Sequence, residues 1–363
     1  MSDDLETYVI QEELLTKISK LERQAIKSKT DITALKSQQK LAEQELEAAE
    51  KRIDFFTAAS AATAPTWVSP GRPKKSECIA VAVLSDCHFD EVVNPVEVNN
   101  TNAYDREIAE LRLERFVEKT IELARDYVAG VEVTGLVLLL GGDLVSGDIH
   151  EELVESNEGT MLETVSHWTG QLTGAINALA DYFEKVTVAS VVGNHGRRTR
   201  KPRMKKRVTD NFDWFLTHSV SQAFKDDARV TFIIPETAHV KIDVYNTTIL
   251  LTHGDSISRG GGGIGGIYPV VFRGKARLMA NPSTRHDLLV IGHYHQLLSA
   301  VESGLLVNGS LKGYDEYAAV SSFPYEEARQ AFFLVTPTHG VTISAPIYVV
   351  SNKEKWLKNA KKG

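Results

Sequence analysis

Apolar residues along this chain come in short unbroken runs, and five of those runs close on polar side chains. IAVAVLS leads into Asp86-Cys87-His88, GLVLLLG into Asp143, VTVASVV into Gly193-Asn194-His195, TTILLT into His253-Gly254-Asp255, and DLLVI into Gly292-His293-Tyr294-His295. Short runs rich in Val, Ile and Leu predict buried strands. Stretches of helical period between them predict helices over about 105–129, 160–185 and 209–225. Thr160 stands three residues before Glu163, the spacing of a capping box. After His295 the pattern changes to GLLVNGS, ARQAFFLVTPT and GVTISAPIYVV, strand-like runs with no helix expected between them. Alternating strands and helices predict an α/β domain. Its polar clusters fall where strands end and loops begin, the usual place for ligands on open α/β sheets.

A different pattern precedes this domain. Residues 5–56 contain no Pro or Gly, and small or apolar residues recur in steps of three and four at Leu14, Ile18, Leu21, Ala25, Ile32, Leu35, Ala42, Leu46, Ala49 and Ile53. Ser28 and Gln39 interrupt that series. The pattern predicts a helical arm over 1–56, a coiled-coil candidate and a route to a homo-oligomer, the alternative being a single helix lying on its own domain. Small residues, Pro and a basic end make 57–75 a linker. The α/β domain is expected over 76–350, followed by a basic, frayed tail over 351–363. The glycine run Arg259 to Gly266 lacks the spacing of a phosphate-binding P-loop and reads as a mobile loop gating the site.

Of 363 residues, 42% are hydrophobic and 25% charged, which allows a sizeable soluble core. Cys78 and Cys87 flank a predicted strand, too far apart along an extended chain to bond. On that strand Cys87 is expected to point away from Asp86 and His88 and to serve packing rather than metal binding. No run reaches transmembrane length, and the acidic N-terminus lacks a basic region followed by an apolar stretch; both predict a cytoplasmic setting (the host's, if the protein is viral) and no membrane partner. The formal net charge is −7, yet eight of the eleven residues from Arg197 to Arg207 are basic, leaving about −15 for the rest. A run beginning two residues after His195 predicts contact with an anionic substrate larger than one phosphate.

One buried Asp or His is ordinarily a hydrogen-bonded core residue. Five such clusters in series would each need separate buried partners, so metal binding explains them better. As an ordered set, Asp-x-His, Gly-Asp, Gly-Asn-His, a lone His and Gly-His-x-His resemble the calcineurin-like metallophosphoesterases, over roughly residues 79–310. The resemblance implies a four-layer α/β/β/α sandwich with a binuclear metal centre at one edge. By motif, Asp86, His88 and His295 would hold one metal ion and Asn194, His253 and His293 the other. Asp143 would bridge the two, and His195 would stand beside the substrate. Two divalent cations about 3.5–4 Å apart activate water and clamp a phosphate. Mixed carboxylate, imidazole and amide donors suit Mn, the expected metal, or Fe or Zn, over Mg or Ca.

One departure is visible. The family's third motif usually continues with an acid that steadies the histidine, whereas here Gly196 and Arg197 follow. Either Asp148 or Asp210 takes that place, or His195 works unaided with Arg197 as a phosphate clamp. The Gly-Asn-His-Gly-Arg variant resembles phage-type and bacterial repair-type nucleases of the superfamily. With the basic run, it makes a DNA nuclease the leading expectation, Arg198, Arg200, Lys201, Arg203, Lys205 and Lys206 contacting the substrate. A phosphomonoesterase acting on protein or nucleotides is the alternative within the same site. A non-catalytic accessory subunit is the alternative of another class.

Overall fold

The computed structural model describes residues 12–29, single positions at 32, 35, 36, 39, 40, 43, 47 and 51, and then 76–128, 130–257, 266–352 and 354. The chain divides into two compact units, Met1–Ala61 and Ala62–Gly363. In the first, residues 12–29 form helix α1, and the further described positions are helical too. Leu14, Ile18, Leu21, Ile32 and Leu35 are each at least half exposed. Ala25 of the seam is exposed as well, while Ala42, Leu46, Ala49 and Ile53, the linker and most of the glycine run lie outside the described residues.

The second unit is mixed α/β, two sheets flanked by helices. Strands β1 (Ser76–Leu84), β2 (Val131–Leu140), β3 (Val186–Ser190) and β4 (Val230–Ile233) run parallel. The other sheet contains β5 (His239–Val244), β6 (Thr247–Thr252), β7 (Leu288–Ile291), β8 (Leu298–Ala300) and β9 (Leu305–Val307), in the order β5-β6-β7-β9-β8. Strands β10 (Arg329–Thr336) and β11 (Gly340–Tyr348) complete the first sheet, in the order β11-β10-β1-β2-β3-β4.

Why these strands read as unbroken apolar runs is clear from their packing. Cys78, Ala80, Ala82 and Leu84 of β1 join one core with α2 (Arg106–Asp126) and α4 (Met161–Phe183), while Val81 and Val83 join another. That second core also takes Ile249 and Leu251 of β6 and Leu288 and Val290 of β7, so it joins the two sheets. Leu250, Leu289 and Ile291 point to a third core containing Val271 of α6 (Tyr268–Ala280). Both faces of the central strands are therefore apolar, and polar groups are expelled to the strand ends.

Three helices start close to where the pattern places them. Asp105 caps α2 by accepting from Ile108 N at 2.9 Å, and the predicted capping box of α4 forms between Thr160 and Glu163. Helix α5 (Phe212–Ala223) begins three residues later than expected, because Phe212 N donates to Gly196 O at 2.7 Å and Asn211 becomes the cap. Periodicity did not reveal the short α3 (Glu151–Ser156) or α6. Helix α7 (Glu316–Val320) contradicts the expectation of no helix after His295; the Asp315 carboxylate caps it, accepting from Ala318 N at 2.8 Å.

Three further expectations need correction. Cys87 is buried and packs in the core, but not as a strand residue: β1 ends at Leu84, and Asp86 and His88 have φ of 51° and 47°. Cys78 lies inside β1 rather than flanking it, and both thiols are free. The start of the tail is not frayed either, since Glu354 is fully buried against Arg112, Oε1 to Nη2 at 2.5 Å. A fully buried guanidinium requires a counter-charge, and the chain beyond 350 supplies it. Glu354→Ala should therefore destabilise the protein by about 3–5 kcal/mol in urea unfolding, and replacing both partners with apolar residues should recover much of that loss. A loss below about 1 kcal/mol would show that the pair does not hold the tail.

Candidate metal centre

The five polar clusters follow β1, β2, β3, β6 and β7, and the fold brings them to one edge. Asp86, His88, Asp143, His293 and His295 all have left-handed backbone, with φ between 47° and 71°. Non-glycine residues rarely adopt it, at a cost of order 1–3 kcal/mol each, and it turns each side chain back over a strand end. The neighbouring glycines leave the room. A Cβ on Gly193 would lie 2.1 Å from Asp143 Oδ1, and one on Gly292 would lie 2.3 Å from Asp86 Oδ2.

Three overlapping groups result: Asp86, His88 and His295; His88, Asp143 and His195; and Asp143, His253 and His293. Within each group the nearest ligand atoms lie within 4.8 Å of one another. Asp86 Oδ1 is 3.4 Å from His295 Nε2, which is 3.2 Å from His88 Nε2. Asp143 is shared: its Oδ1 accepts from His195 N at 2.7 Å, and its Oδ2 lies 2.9 Å from His253 Nε2.

Donor chemistry tests whether cations fit. His253 Nδ1 is 2.9 Å from the Gly141 carbonyl, which only accepts, so Nδ1 carries a proton and Nε2 faces the Asp143 carboxylate. A lone pair and a carboxylate oxygen at that distance need a positive charge between them. Burial acts to lower the His253 pKa, but the carboxylates of Asp143 and Asp86 outweigh it and raise it to about 10, a proton then serving as that charge. Burial holds His88 and His293 down at about 4, in the neutral form that ligates metal. Asn194 Oδ1 is buried with no hydrogen-bond partner, the cost of an orphaned acceptor that a cation removes. The residues fit two divalent ions.

His195 receives a different partner from those expected. Its Nδ1 lies 2.8 Å from Ser146 O, so a main-chain carbonyl fixes the tautomer and leaves Nε2 for substrate. Asp148 is exposed, and Asp210 accepts from Arg198 at 2.9 Å; neither supports His195. Burial lowers the His195 pKa, partly offset by Asp143. Arg197 does not stand free as a clamp. Its guanidinium donates to the carbonyls of Asn194, Thr199 and Arg200 at 2.8, 2.9 and 3.0 Å, bracing the loop that carries Asn194.

The basic run is divided by its surroundings. Arg198 pairs with Asp210, Arg200 with Glu151 at 2.6 Å, and Arg207 with both oxygens of Asp255 at 2.7 Å. Lys201, Arg203, Lys205 and Lys206 are exposed, and no ion pair is found for them among the described residues. Arg203, Lys205 and Lys206 line a small open cleft together with Asn194, Gly193, Asp210 and Asp255.

Sequence reasoning missed the groups behind the ligands. Asp213, in the first turn of α5, accepts from the main-chain N–H of Asp143, Leu144, Val145 and Gly193 at 2.9–3.3 Å, tying two ligand loops together. Burial and the nearby Asp143 raise its pKa to about 6. Ser85 Oγ donates to Asp86 Oδ2 at 2.5 Å and accepts from Asn308 Nδ2 at 2.8 Å. Asn308-Gly309-Ser310 follows the apolar LLV of β9, a sixth cluster at a strand end that the pattern held in view.

No protein-family model and no curated protein matches the chain. Among solved structures, it is similar to a conserved uncharacterized protein from Streptococcus pneumoniae TIGR4 described as a predicted phosphoesterase (13% identity, 76% of this chain and 98% of that one, TM-score 0.30). It is similar to a dimetal phosphatase from Danio rerio (12%, 75% and 99%, TM-score 0.32) and to Vps29 complexed with zinc from Entamoeba histolytica (14%, 74% and 99%, TM-score 0.29). These are distant likenesses, and the functional reading rests on the geometry of the site itself.

Two substitutions separate binding from chemistry. Asp143→Asn should reduce bound metal at both positions, because Asp143 belongs both to the group that contains His88 and to the group of His253 and His293. His195→Ala should keep the metals and lose roughly 10²–10⁴-fold in turnover. Metal analysis alongside kinetics checks both; an Asp143→Asn protein with full metal content defeats the bridging role.

Proposed function

We propose that this chain is a binuclear metal-dependent phosphoesterase that hydrolyses phosphodiesters, with DNA as the substrate, built on a four-layer α/β/β/α sandwich. One observation carries the reading: carboxylates and imidazole nitrogens from separate strand ends converge on shared points, Asp143 with His253, and Asp86 and His88 with His295. Asp86, His88 and His295 hold one ion, Asn194, His253 and His293 the other, and Asp143 lies between. Manganese suits this donor set.

The bound ions supply Lewis-acid polarisation of the phosphoester and lower the pKa of water. The chain's own residues do the rest. Asp213 and Arg197 keep the Asp143 and Asn194 loops in place through their main chains. The Ser146 carbonyl fixes the Nδ1–H tautomer of His195, so Nε2 first takes the proton that the attacking water loses and then passes it to the leaving oxygen. Arg203, Lys205 and Lys206 attract further phosphates of a polyanionic strand to the cleft beside Asn194.

A second reading, a phosphomonoesterase acting on a small substrate, is favoured by the local pairing of Arg198, Arg200 and Arg207, which with Arg197 held on carbonyls occupies four of the eight cations of the basic run. Activity of manganese-loaded protein on labelled DNA, bis-p-nitrophenyl phosphate and p-nitrophenyl phosphate separates the two. Neutralising Arg203, Lys205 and Lys206 should weaken DNA cleavage and flatten its salt dependence by about 0.9 per lost phosphate contact. Hydrolysis of the small diester should survive. DNA cleavage equal to the parent's at every salt concentration would remove the nucleic-acid assignment and leave the phosphoesterase.

The arm, in this proposal, pairs with that of a second copy through Leu14, Ile18, Leu21, Ile32 and Leu35, whose exposure leaves an apolar seam uncovered. Removing residues 1–56 should then lower the oligomeric mass in light scattering. An unchanged mass would rule the arm out as the contact.

A further inference from the structure

A lysine outside all five ligand clusters is buried behind the centre. Lys312 is 2% exposed, and its Nζ lies 2.7 Å from Glu91 Oε1 and 2.5 Å from Asp315 Oδ2. The other oxygen of Glu91 lies 3.0 Å from His88 Nδ1 and accepts from Ser146 Oγ at 3.3 Å. His88 Nε2 is the atom that faces His295, so Glu91 stands behind the ring and the metal position in front of it.

The main chain around Lys312 is held with equal care. Ser310 Oγ and Leu311 N both donate to the carbonyl of Asp86, at 2.9 and 3.2 Å. Arg112 donates to Leu311 O at 2.7 Å and also to Lys312 O, and Asn102 Nδ2 donates to Lys312 O at 3.0 Å. Lys312 therefore cannot drift without moving Asp86, and Glu91 cannot turn without leaving an ammonium buried and half paired.

We infer that Lys312 is a positioning residue for His88, acting through Glu91. The lysine neutralises the Glu91 carboxylate where Asp86 and Asp143 already concentrate negative charge. Glu91 then faces His88 Nδ1, favours the proton on that nitrogen and so directs Nε2 to the metal shared with Asp86 and His295. A carboxylate behind a ligating imidazole fixes its tautomer and strengthens the lone pair. This rests on the metal-centre reading, and it adds a group that decides how tightly one of two positions binds.

The test titrates metal-free full-length chain with Mn²⁺ by calorimetry and records the visible spectrum after Co²⁺ loading. The parent should take two ions. Lys312→Met and Glu91→Gln should each weaken one of them about 10–100-fold, leave the other unchanged, and alter only part of the Co²⁺ spectrum. Lys312→Arg should restore much of the loss. Circular dichroism checks folding; if Lys312→Met does not fold, Glu91→Gln decides alone. A folded variant binding both ions with the parent's affinities overturns the inference. So does equal loss of both ions, which marks a general structural role. If the parent itself binds no metal, the metal-centre reading fails first, and this inference with it.

Discussion

Two buried carboxylates, Asp86 and Asp143, stand just beyond the ends of the paired parallel strands β1 and β2, and the rest of the site answers the charge they bring together. Neither can be buried ionised without compensation. Main-chain N–H groups supply part of it, from His293 to Asp86 at 2.8 Å and from His195 to Asp143 at 2.7 Å. Imidazoles supply more, and the arrangement is complete only with cations or protons among them. That is why His253 is held as an acid of pKa about 10 while His88 and His293 are pushed to about 4. The charge of Asp143 and Asp86 lifts His253, burial outweighs that charge at His293, and at His88 burial together with Lys312 outweighs Glu91.

Strain is the other side of this arrangement. Five candidate ligand positions have left-handed backbone; glycines precede two of them, Asp143 and His293, and a Cβ on Gly292 would collide with Asp86 Oδ2. Such conformations persist only where the surroundings over-determine them. The surroundings do so through buried charge: Asp213 clamps four main-chain N–H groups, and Arg112 joins Glu354 to the segment that carries Lys312. The tail, the α2 helix and the loop after β9 therefore belong to one polar interior. A residue far along the chain, Glu354, contributes to the stability of the ground on which the centre stands.

The basic loop shows how little a run of like charge says until its partners are known. Eight cations in eleven residues suggest a single positive surface. In the fold, Arg197 is spent on carbonyls, and Arg198, Arg200 and Arg207 meet acids from other segments or from the loop's own far end. What remains is a smaller set, Lys201, Arg203, Lys205 and Lys206, the last three of which line the cleft beside Asn194. The unpaired positive charge forms a short stretch beside Asn194, not a broad basic face.

Much of this protein is legible in its sequence because the governing rules are local. Strands covered on both faces must be apolar throughout, so polar residues are visible at their ends, and the capping box of α4 is written in Thr160 and Glu163. Residue types with metal-binding chemistry recur at five of those ends, which made the ligand candidates readable before any coordinate. The support of His195 was not readable, because a main-chain carbonyl leaves no mark in side-chain identity. Nor were Glu91, Lys312 and Asp213, whose roles depend on segments as many as 221 residues apart meeting in a buried space. Sequence determines which side chains a strand end can offer; only packing decides which of them share a buried charge, because that depends on distance and exclusion of water, and neither follows the order of the chain.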